Sequence, residues 1–218
     1  MSKAVKNRRG YNSPRRAEQA AATRRAILDA AQRLFEEQGY AATSMASIAK
    51  EASVALKTVY LAFETKSGLL RALWHLRLRG DEDPSPVGQR DWYREVLEEP
   101  DPVRQLKLNA RNGRRAKARL GALMEVIRGG ARVDPDVGEL WSNIQAQFLD
   151  NQRAIVQSLH AKKALARGLS VDRAADILWA LNHPALYQLL VNERGWTPEQ
   201  HEKWAADSTA AQLLRQRQ

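Results

Sequence analysis

Three stretches of helical apolar periodicity, separated by two brief turns, lie between Ile27 and Phe63 and constrain the fold more than any other feature of the sequence. In the first stretch, apolar residues recur at i, i+4, i+7 and i+8, which is the stripe of an amphipathic helix: Ile27, Ala31, Leu34 and Phe35. We predict a helix from Arg15 to Gln38 that Gly39 ends.

Two shorter helices are predicted next, and both suit a helix-turn-helix. The segment Ser44–Ala52 begins with a residue that can cap a helix and places four residues on one face: Met45, Ile48, Ala49 and Ala52. Residues 53–54 form a turn, and residues 55–62 form a third helix with Val59 directed inward. The small side chain of Ala49 allows the two helices to cross closely. A fourth helix is predicted over residues 66–78.

Positive charge is concentrated in the first third of the chain. The first 80 residues hold 15 Lys and Arg against 6 Asp and Glu, while the rest of the chain holds 20 against 19. Residues 1–14 are polar and basic without apolar periodicity, so we predict a flexible basic arm. A polyanionic partner is expected to meet this end of the molecule.

The segment Gly39–Lys66 resembles the DNA-binding head of the TetR family of transcription regulators. The matching positions run from a Gly-aromatic pair to a Lys that opens the fourth helix: Gly39, Tyr40, Thr43, Ser44, Ile48, Ala49, Val54, Thr58, Val59, Tyr60, Phe63 and Lys66. The resemblance covers roughly residues 20–70. It implies an all-α fold, in which a three-helix head with a helix-turn-helix precedes a larger helical body for effector binding and dimerisation. The domains are then predicted as residues 1–14, 15–66 and 67–218.

The resemblance implies that the third helix enters the major groove. Hydroxyl groups and Lys66, at the start of the fourth helix, are suited to hold phosphates. The third helix departs from the family pattern because apolar residues stand where polar ones are usual, so it can pack on thymine methyl groups but reads few base edges directly. Lys57 is the one strong candidate for guanine or phosphate. The predicted DNA contacts are Arg8, Arg9, Arg15, Arg16, Thr43, Ser44, Leu56, Lys57, Thr58, Tyr60, Leu61 and Lys66.

The body is predicted to begin after an acidic, proline-broken loop at residues 80–86. Apolar periodicity then predicts four long helices: Pro102–Ile127, Pro135–Ala161, Ser170–Glu193 and Thr197–Leu214. The charge run Arg111–Arg119 is predicted to be a solvated helix face, with attraction of an anionic effector as the alternative.

Proteins that resemble this chain bind a small molecule inside the body. Large side chains suited to such a pocket are also typical of plain core, and both interpretations stand. The residues in question are Met124, Trp141, Phe148, Trp179, His183 and Tyr187. Pro184 follows His183 inside an apolar run and denies the helix one hydrogen bond, so we expect a kink there, either opening a cavity or simply beside a structural histidine.

The last two long helices carry more apolar surface than a small body needs, and the resemblance implies that they form a homodimer interface. The predicted interface residues are Leu178, Leu186, Leu189, Leu190, Trp204, Ala211 and Leu214. A two-fold dimer places two heads over successive major grooves roughly 34–36 Å apart, so the double-stranded DNA operator should be palindromic.

Other classes find little support in the sequence. The chain has no Cys, and its four His residues share no metal-ligand spacing, so no metal, cofactor or catalytic site is predicted. Neither a membrane span nor a secretory signal is expected, and cytoplasmic location is the default. The main hypothesis is a repressor released from its operator by a small-molecule effector. The alternatives are a constitutive architectural protein with weak sequence specificity and, more remotely, a helical enzyme.

Deleting residues 1–13 tests the basic arm. If Arg8 and Arg9 enter an A·T-rich minor groove, the deletion is expected to remove the preference for A·T pairs flanking the operator. Binding to a set of operators with varied flanks, measured at fixed salt, checks this. A loss of affinity that is equal for all flanks would instead identify the arm as a solvated tail that adds only non-specific attraction.

Overall fold

The structure is a computed structural model, and it describes residues 14–79 and 90–215. The predicted flexible arm, with Arg8 and Arg9, and the predicted loop 80–86 lie outside the described residues. The described chain is all-α, as predicted, and its helices are α1 (Pro14–Ala42), α2 (Met45–Glu51), α3 (Leu56–Phe63), α4 (Lys66–Arg79), α5 (Asp91–Glu98), α6 (Pro102–Gly130), α7 (Pro135–Ala161), α8 (Val171–Leu181), α9 (Pro184–Tyr187), which continues as a π-helix (Gln188–Glu193), and α10 (Pro198–Leu213).

The helix-turn-helix forms where the sequence predicts it. Ser44 has extended backbone and caps α2 in a reciprocal box, accepting from Ser47 N at 3.0 Å while its own backbone N donates to Ser47 Oγ at 3.1 Å. Ser53 then adopts φ 54°, and Val54 N donates to Ala49 O at 3.0 Å, which closes the turn. Gly39 has φ 81° and interrupts α1 one residue after its predicted end.

The prediction of one continuous helix over Ser170–Glu193 was wrong. α8 ends at Leu181, and His183 has extended backbone with ψ 136° because the following Pro184 excludes the helical conformation. A new helix starts at Pro184, where His183 Nδ1 accepts from Ala185 N at 3.2 Å and so caps it. The helix therefore ends here, and the two segments do not form one kinked helix.

The sequence interpretation also missed α5, a single short helix.

Two apolar clusters form most of the interior. The first joins α1–α4 to the second half of α6 and the start of α7, so head and body share one core. The second lies among α5, α6, α7, α8 and α10, where α6 packs against α10 and α7 against α8. The shared core crosses the boundary predicted near residue 66, and it makes the position of the head depend on α6 and α7.

Tyr40 makes a direct contact between head and body. A Cβ atom at Gly130 would lie 2.9 Å from Cγ of Tyr40, so the ring rests directly on the backbone at the end of α6. The Tyr40 hydroxyl donates to Asp134, and burial, followed by this hydrogen bond, raises its pKa. Ser67, on α4, donates to Asp136 Oδ2 at 3.0 Å. The turn between α6 and α7 is thus fastened to two elements of the head.

We expect Ser53→Gly to stabilise the protein by about 0.5–1 kcal/mol, because a side chain at positive φ is strained and glycine is not. Urea unfolding at one fixed protein concentration measures the free energy change. Ser53→Val is the matched control and should destabilise, since a β-branched residue tolerates this conformation least. Equal stabilities for the serine and glycine forms would contradict the assigned backbone geometry.

Candidate DNA interface and effector cavity

The third helix has one buried and one exposed face. Val59 and Phe63 are buried in the first apolar cluster and fix the orientation of α3. The opposite face carries Leu56, Lys57, Tyr60 and Leu61, all exposed, with Leu61 reaching 76%. Neither Lys57 nor the Tyr60 hydroxyl has a hydrogen-bond or ion-pair partner in the described part of the chain. This face therefore offers free polar groups beside an apolar surface.

An open groove of about 420 Å³ separates α3 from the beginning of α1. Its walls include Arg16, Thr58 and Leu61. Arg24 joins the two helices, because its Nη1 donates to Ala62 O at 2.8 Å and its guanidinium lies 4.1 Å from the Phe63 ring centroid. Arg15 and Arg16 are exposed in the first turn of α1, in agreement with the predicted start of this helix at Arg15.

Thr43 and Lys66 have structural contacts instead of the predicted free polar groups. Thr43 is 1% exposed and its hydroxyl donates to Gly39 O at 2.8 Å. Lys66 Nζ donates to Tyr40 O and Thr43 O, both at 2.8 Å, and lies 4.1 Å from the Tyr40 ring centroid. Burial lowers the pKa of Lys66. We therefore withdraw both residues as phosphate ligands, because their polar atoms are already paired inside the head.

The remaining hydroxyl groups differ in accessibility. The Ser44 hydroxyl is exposed but holds the capping box of α2. Thr58 is half-buried in the groove against α1. The Tyr60 side chain is 49% exposed and is the most accessible of the three. The structure thus leaves these three as DNA-contact predictions, with Tyr60 the best placed.

A second cavity, of about 530 Å³, lies inside the body among α4, α5, α6 and α7 and the break after α8. This volume is typical of pockets that hold small organic molecules. Its apolar walls come from aromatic, Leu, Ile and Met side chains, with Trp74 on α4, Trp92 and Tyr93 on α5 and Ile144 on α7 among them. Burial raises the pKa of Tyr93 to about 12, so its hydroxyl stays protonated and donates to Asn151 O at 2.8 Å.

Two of the six predicted effector residues line this cavity, Met124 and Phe148. The other four do not, because they pack elsewhere. Trp141 packs on the first apolar cluster, and Trp179 lies 4.8 Å from the His183 ring. Tyr187 is buried against His201, with ring centroids 5.1 Å apart. We therefore withdraw Trp141, Trp179 and Tyr187 as effector contacts. They fit the alternative interpretation, in which these side chains pack within the body.

The interruption between α8 and α9 borders the cavity through the residues on either side of His183. Asn182 and Pro184 line it, whereas His183 is turned away to cap α9 and to place Nε2 3.2 Å from Gln145 Oε1. Burial, followed by the charge of Lys117, lowers the pKa of His183. The expectation of a cavity at this interruption thus identified the right place in the chain but the wrong side chain.

Sequence reasoning missed the polar groups at the bottom of the cavity. Lys117 lies within the charge run Arg111–Arg119, which was predicted to be solvated, yet it is only 6% exposed. A signal was present, because Lys117 follows Ala110 by seven positions and precedes Leu120 by three, so it shares their face of α6. Its Nζ donates to Asn182 Oδ1 at 2.8 Å. Asn182 and Asn109 each donate to Gln152 Oε1 at 3.3 Å.

The predicted dimer residues separate into buried and accessible groups. Leu178 is 1% exposed inside the second apolar cluster, so it is withdrawn as an interface residue. Leu189 is 47% exposed and Ala211 is exposed. Four others are half-buried: Leu186, Leu190, Trp204 and Leu214. These six remain predictions.

Among the described residues, no helix has both the length and the hydropathy to cross a membrane, and no cluster of three or more His, Asp or Glu is arranged to hold a metal ion.

Curated proteins similar to this chain are transcription regulators. The chain is 31% identical over 170 residues to the HTH-type transcriptional regulator AcrR of Shigella flexneri, covering 74% of this chain and 75% of that protein. It is 28% identical over 171 residues to the HTH-type transcriptional regulator TtgR of Pseudomonas putida, covering 75% of this chain and 78% of that protein.

Solved structures share the fold at lower identity. The SmeT–triclosan complex has a TM-score of 0.69 at 22% identity, covering 88% of this chain and 92% of that one. SmeT is the repressor of a multidrug efflux pump of Stenotrophomonas maltophilia. NalD, the secondary repressor of a multidrug efflux pump in Pseudomonas aeruginosa, has a TM-score of 0.67 at 23% identity, covering 90% of this chain and 98% of that one.

The family model described as bacterial regulatory proteins, tetR family, matches residues 27–73, which include α2, α3 and the turn between them. Together with the identity that extends over three-quarters of the chain, this match shows that the chain belongs to the TetR family and is a transcription regulator, not an enzyme.

Proposed function

We propose that the protein is a repressor that binds a palindromic operator through α3 and is released when a small molecule fills the body cavity. The observation that carries the proposal is the pairing of two features on one connected scaffold. The exposed face of α3 carries Lys57 and Tyr60, whose polar groups have no partner among the described residues, and the body holds a cavity of about 530 Å³. A constitutive architectural protein needs the first feature but has no use for the second.

The contacts proposed for DNA follow from exposure. Lys57 reaches a guanine edge or a phosphate, and the Tyr60 hydroxyl reaches a phosphate. Leu56 and Leu61 lie on the same face and pack against thymine methyl groups. Arg16, at the rim of the groove between α1 and α3, adds a cation toward the DNA backbone. Specific recognition then depends on a few contacts and on the shape of the operator.

A homodimer supplies the two-fold symmetry that a palindromic operator requires. The proposed face combines the π-helix with α10, and its most exposed apolar side chain is Leu189. Trp204 on α10 is half-buried, and its ring lies 6.2 Å from that of Trp196. Large, partly exposed aromatic side chains of this kind are enriched at protein interfaces. The two copies of α3 then lie about one turn of DNA apart, roughly 34–36 Å.

Release by ligand is proposed to work through α4 and α6. The α4 helix lines the cavity with Trp74 and Leu78, and its first turn carries Lys66, which donates to Tyr40 O and Thr43 O in the head. The α6 helix lines the cavity with Met124 and ends at the contact between Gly130 and Tyr40. A ligand that binds one arrangement of these helices better than the other shifts the population of head spacings. The fold shared with a triclosan complex of SmeT supports a small molecule as the signal.

Selection of sites from random DNA tests the function, and Lys57→Ala tests the interface. We expect selection to yield a palindrome, and the variant to lose about 1–3 kcal/mol of operator binding free energy. Footprinting and competition against random DNA at fixed salt are the measurements. Lys107→Ala, an exposed lysine on α6, is the matched control and should leave binding unchanged. Failure to enrich any sequence would favour the architectural alternative.

Lys66→Met separates a structural role from a phosphate contact. Because Nζ donates to two backbone oxygens of the head, we expect the free energy of unfolding to fall by about 1–2 kcal/mol. The slope of log affinity against log salt should stay that of the unaltered protein, whereas loss of a phosphate contact reduces it by about one. Lys50→Met, at the exposed end of α2, is the control for stability. An unchanged stability with a reduced slope would restore Lys66 to the DNA interface.

A further inference from the structure

The interior of the body cavity contains a lysine without a counter-ion. No carboxylate of the described chain lies within 4.0 Å of the Lys117 ammonium group, and Asn182 Oδ1 is its one hydrogen-bond acceptor there. An ammonium group has three donors, so this arrangement leaves two of them without a protein partner. Burying a charge in this way is costly unless something pairs with it.

The groups around Lys117 hold it at the cavity surface without neutralising it. Asn182 is itself held by Gln152, which also accepts from Asn109, so the acceptor beside Lys117 is fixed in place. A Cβ at Gly113 would lie 3.0 Å from Asn182 Oδ1, so the glycine leaves room for a close approach of this amide to α6. The network orients the ammonium group and supplies no negative charge.

The cavity wall includes a second cation besides Lys117. Arg119 on α6 lines it, and its Nη2 donates to Leu78 O at 3.3 Å. Asp150 is the one carboxylate among the described residues that line it, and its side chain is 72% exposed and 3.8 Å from Arg153. The field inside the cavity therefore favours an anion.

We propose that the effector is an amphipathic organic anion, whose carboxylate, sulfonate or phenolate pairs with Lys117 while its apolar body packs against Trp74, Met124 and Phe148. This inference rests on the proposed function, because it assigns a ligand class to the same cavity. The charged oxygens of such an anion accept hydrogen bonds from the two Lys117 donors that the protein leaves without a partner. The apolar walls bind the remainder of the molecule by burial of its surface.

The ionisation of Lys117 gives the proposal a pH signature. Burial lowers the pKa of Lys117 to about 7, and a bound anion raises it again. Between these two values, binding of the anion takes up a proton, so affinity falls as pH rises, by up to about tenfold per pH unit. Lys117 also contributes, after burial, to the lowered pKa of His183 and of His201, which falls to about 4. Histidines with lowered pKa stay neutral above pH 7.5, so they do not produce this signature.

Two fluorescent probes of nearly equal shape test the charge preference. Anilinonaphthalene sulfonate is an anion, and N-phenylnaphthylamine is its neutral counterpart. We expect Lys117→Met to weaken binding of the sulfonate about 30-fold or more and to leave the neutral amine within about twofold. Lys107→Met, on the exposed face of the same helix, should leave the affinity for both probes unchanged. Ala116→Trp places a large side chain in the cavity and should weaken binding of both probes, which would show that they bind there.

The pH dependence of the unaltered protein is the second measurement, and it does not depend on the folding of any variant. Sulfonate affinity should fall between pH 7.5 and 9, while affinity for the neutral amine stays constant. The proposal would be overturned if a cooperatively folded Lys117→Met protein lost equal affinity for both probes. A sulfonate affinity that does not change with pH would also overturn it. If charge discrimination holds but neither probe releases the operator, the anion site stands and the proposed regulation fails.

Discussion

The contact of Tyr40 with the backbone at Gly130 is the constraint on which the rest of the molecule depends. No side chain larger than hydrogen fits at Gly130 without displacing the ring, so the end of α6 and the start of the helix-turn-helix are held at one separation. The Tyr40 hydroxyl bonds to Asp134, and Lys66 bonds to the Tyr40 carbonyl. Because these contacts share one residue, the end of α6 and the head are joined directly at Tyr40.

The body contains two features that lower its own stability. A desolvated lysine among amides and a cavity of about 530 Å³ are both features that a purely structural core would avoid. Asn182 ends α8 where Pro184 prevents the helix from continuing, and both residues line the cavity. The break in the helix therefore creates the polar end of the site. In the proposed function, the buried charge that lowers the stability of the unliganded protein is the one that binds the anion.

The third helix of the head is firmly packed on one face and carries few polar groups on the other. Val59 and Phe63 anchor α3 in a core shared with the body, and Arg24 ties it to α1. The outward face offers one cation, Lys57, beside apolar side chains, the most exposed of which is Leu61. In the proposed complex with DNA, such a face discriminates thymine methyl groups and DNA shape better than it discriminates hydrogen-bonding edges.

The sequence by itself determined the fold class, the helix-turn-helix and most helix limits, because helical periodicity and the Ser44 cap act locally. It also located Lys57 and Tyr60, since an exposed face of a short helix follows from its buried one. Only the tertiary structure decided that Thr43 and Lys66 are paired inside the head and that Lys117 faces a cavity. Those assignments depend on which distant elements pack against each side chain. Local sequence records the residue and its helix face, but not the neighbour that buries, pairs or desolvates it.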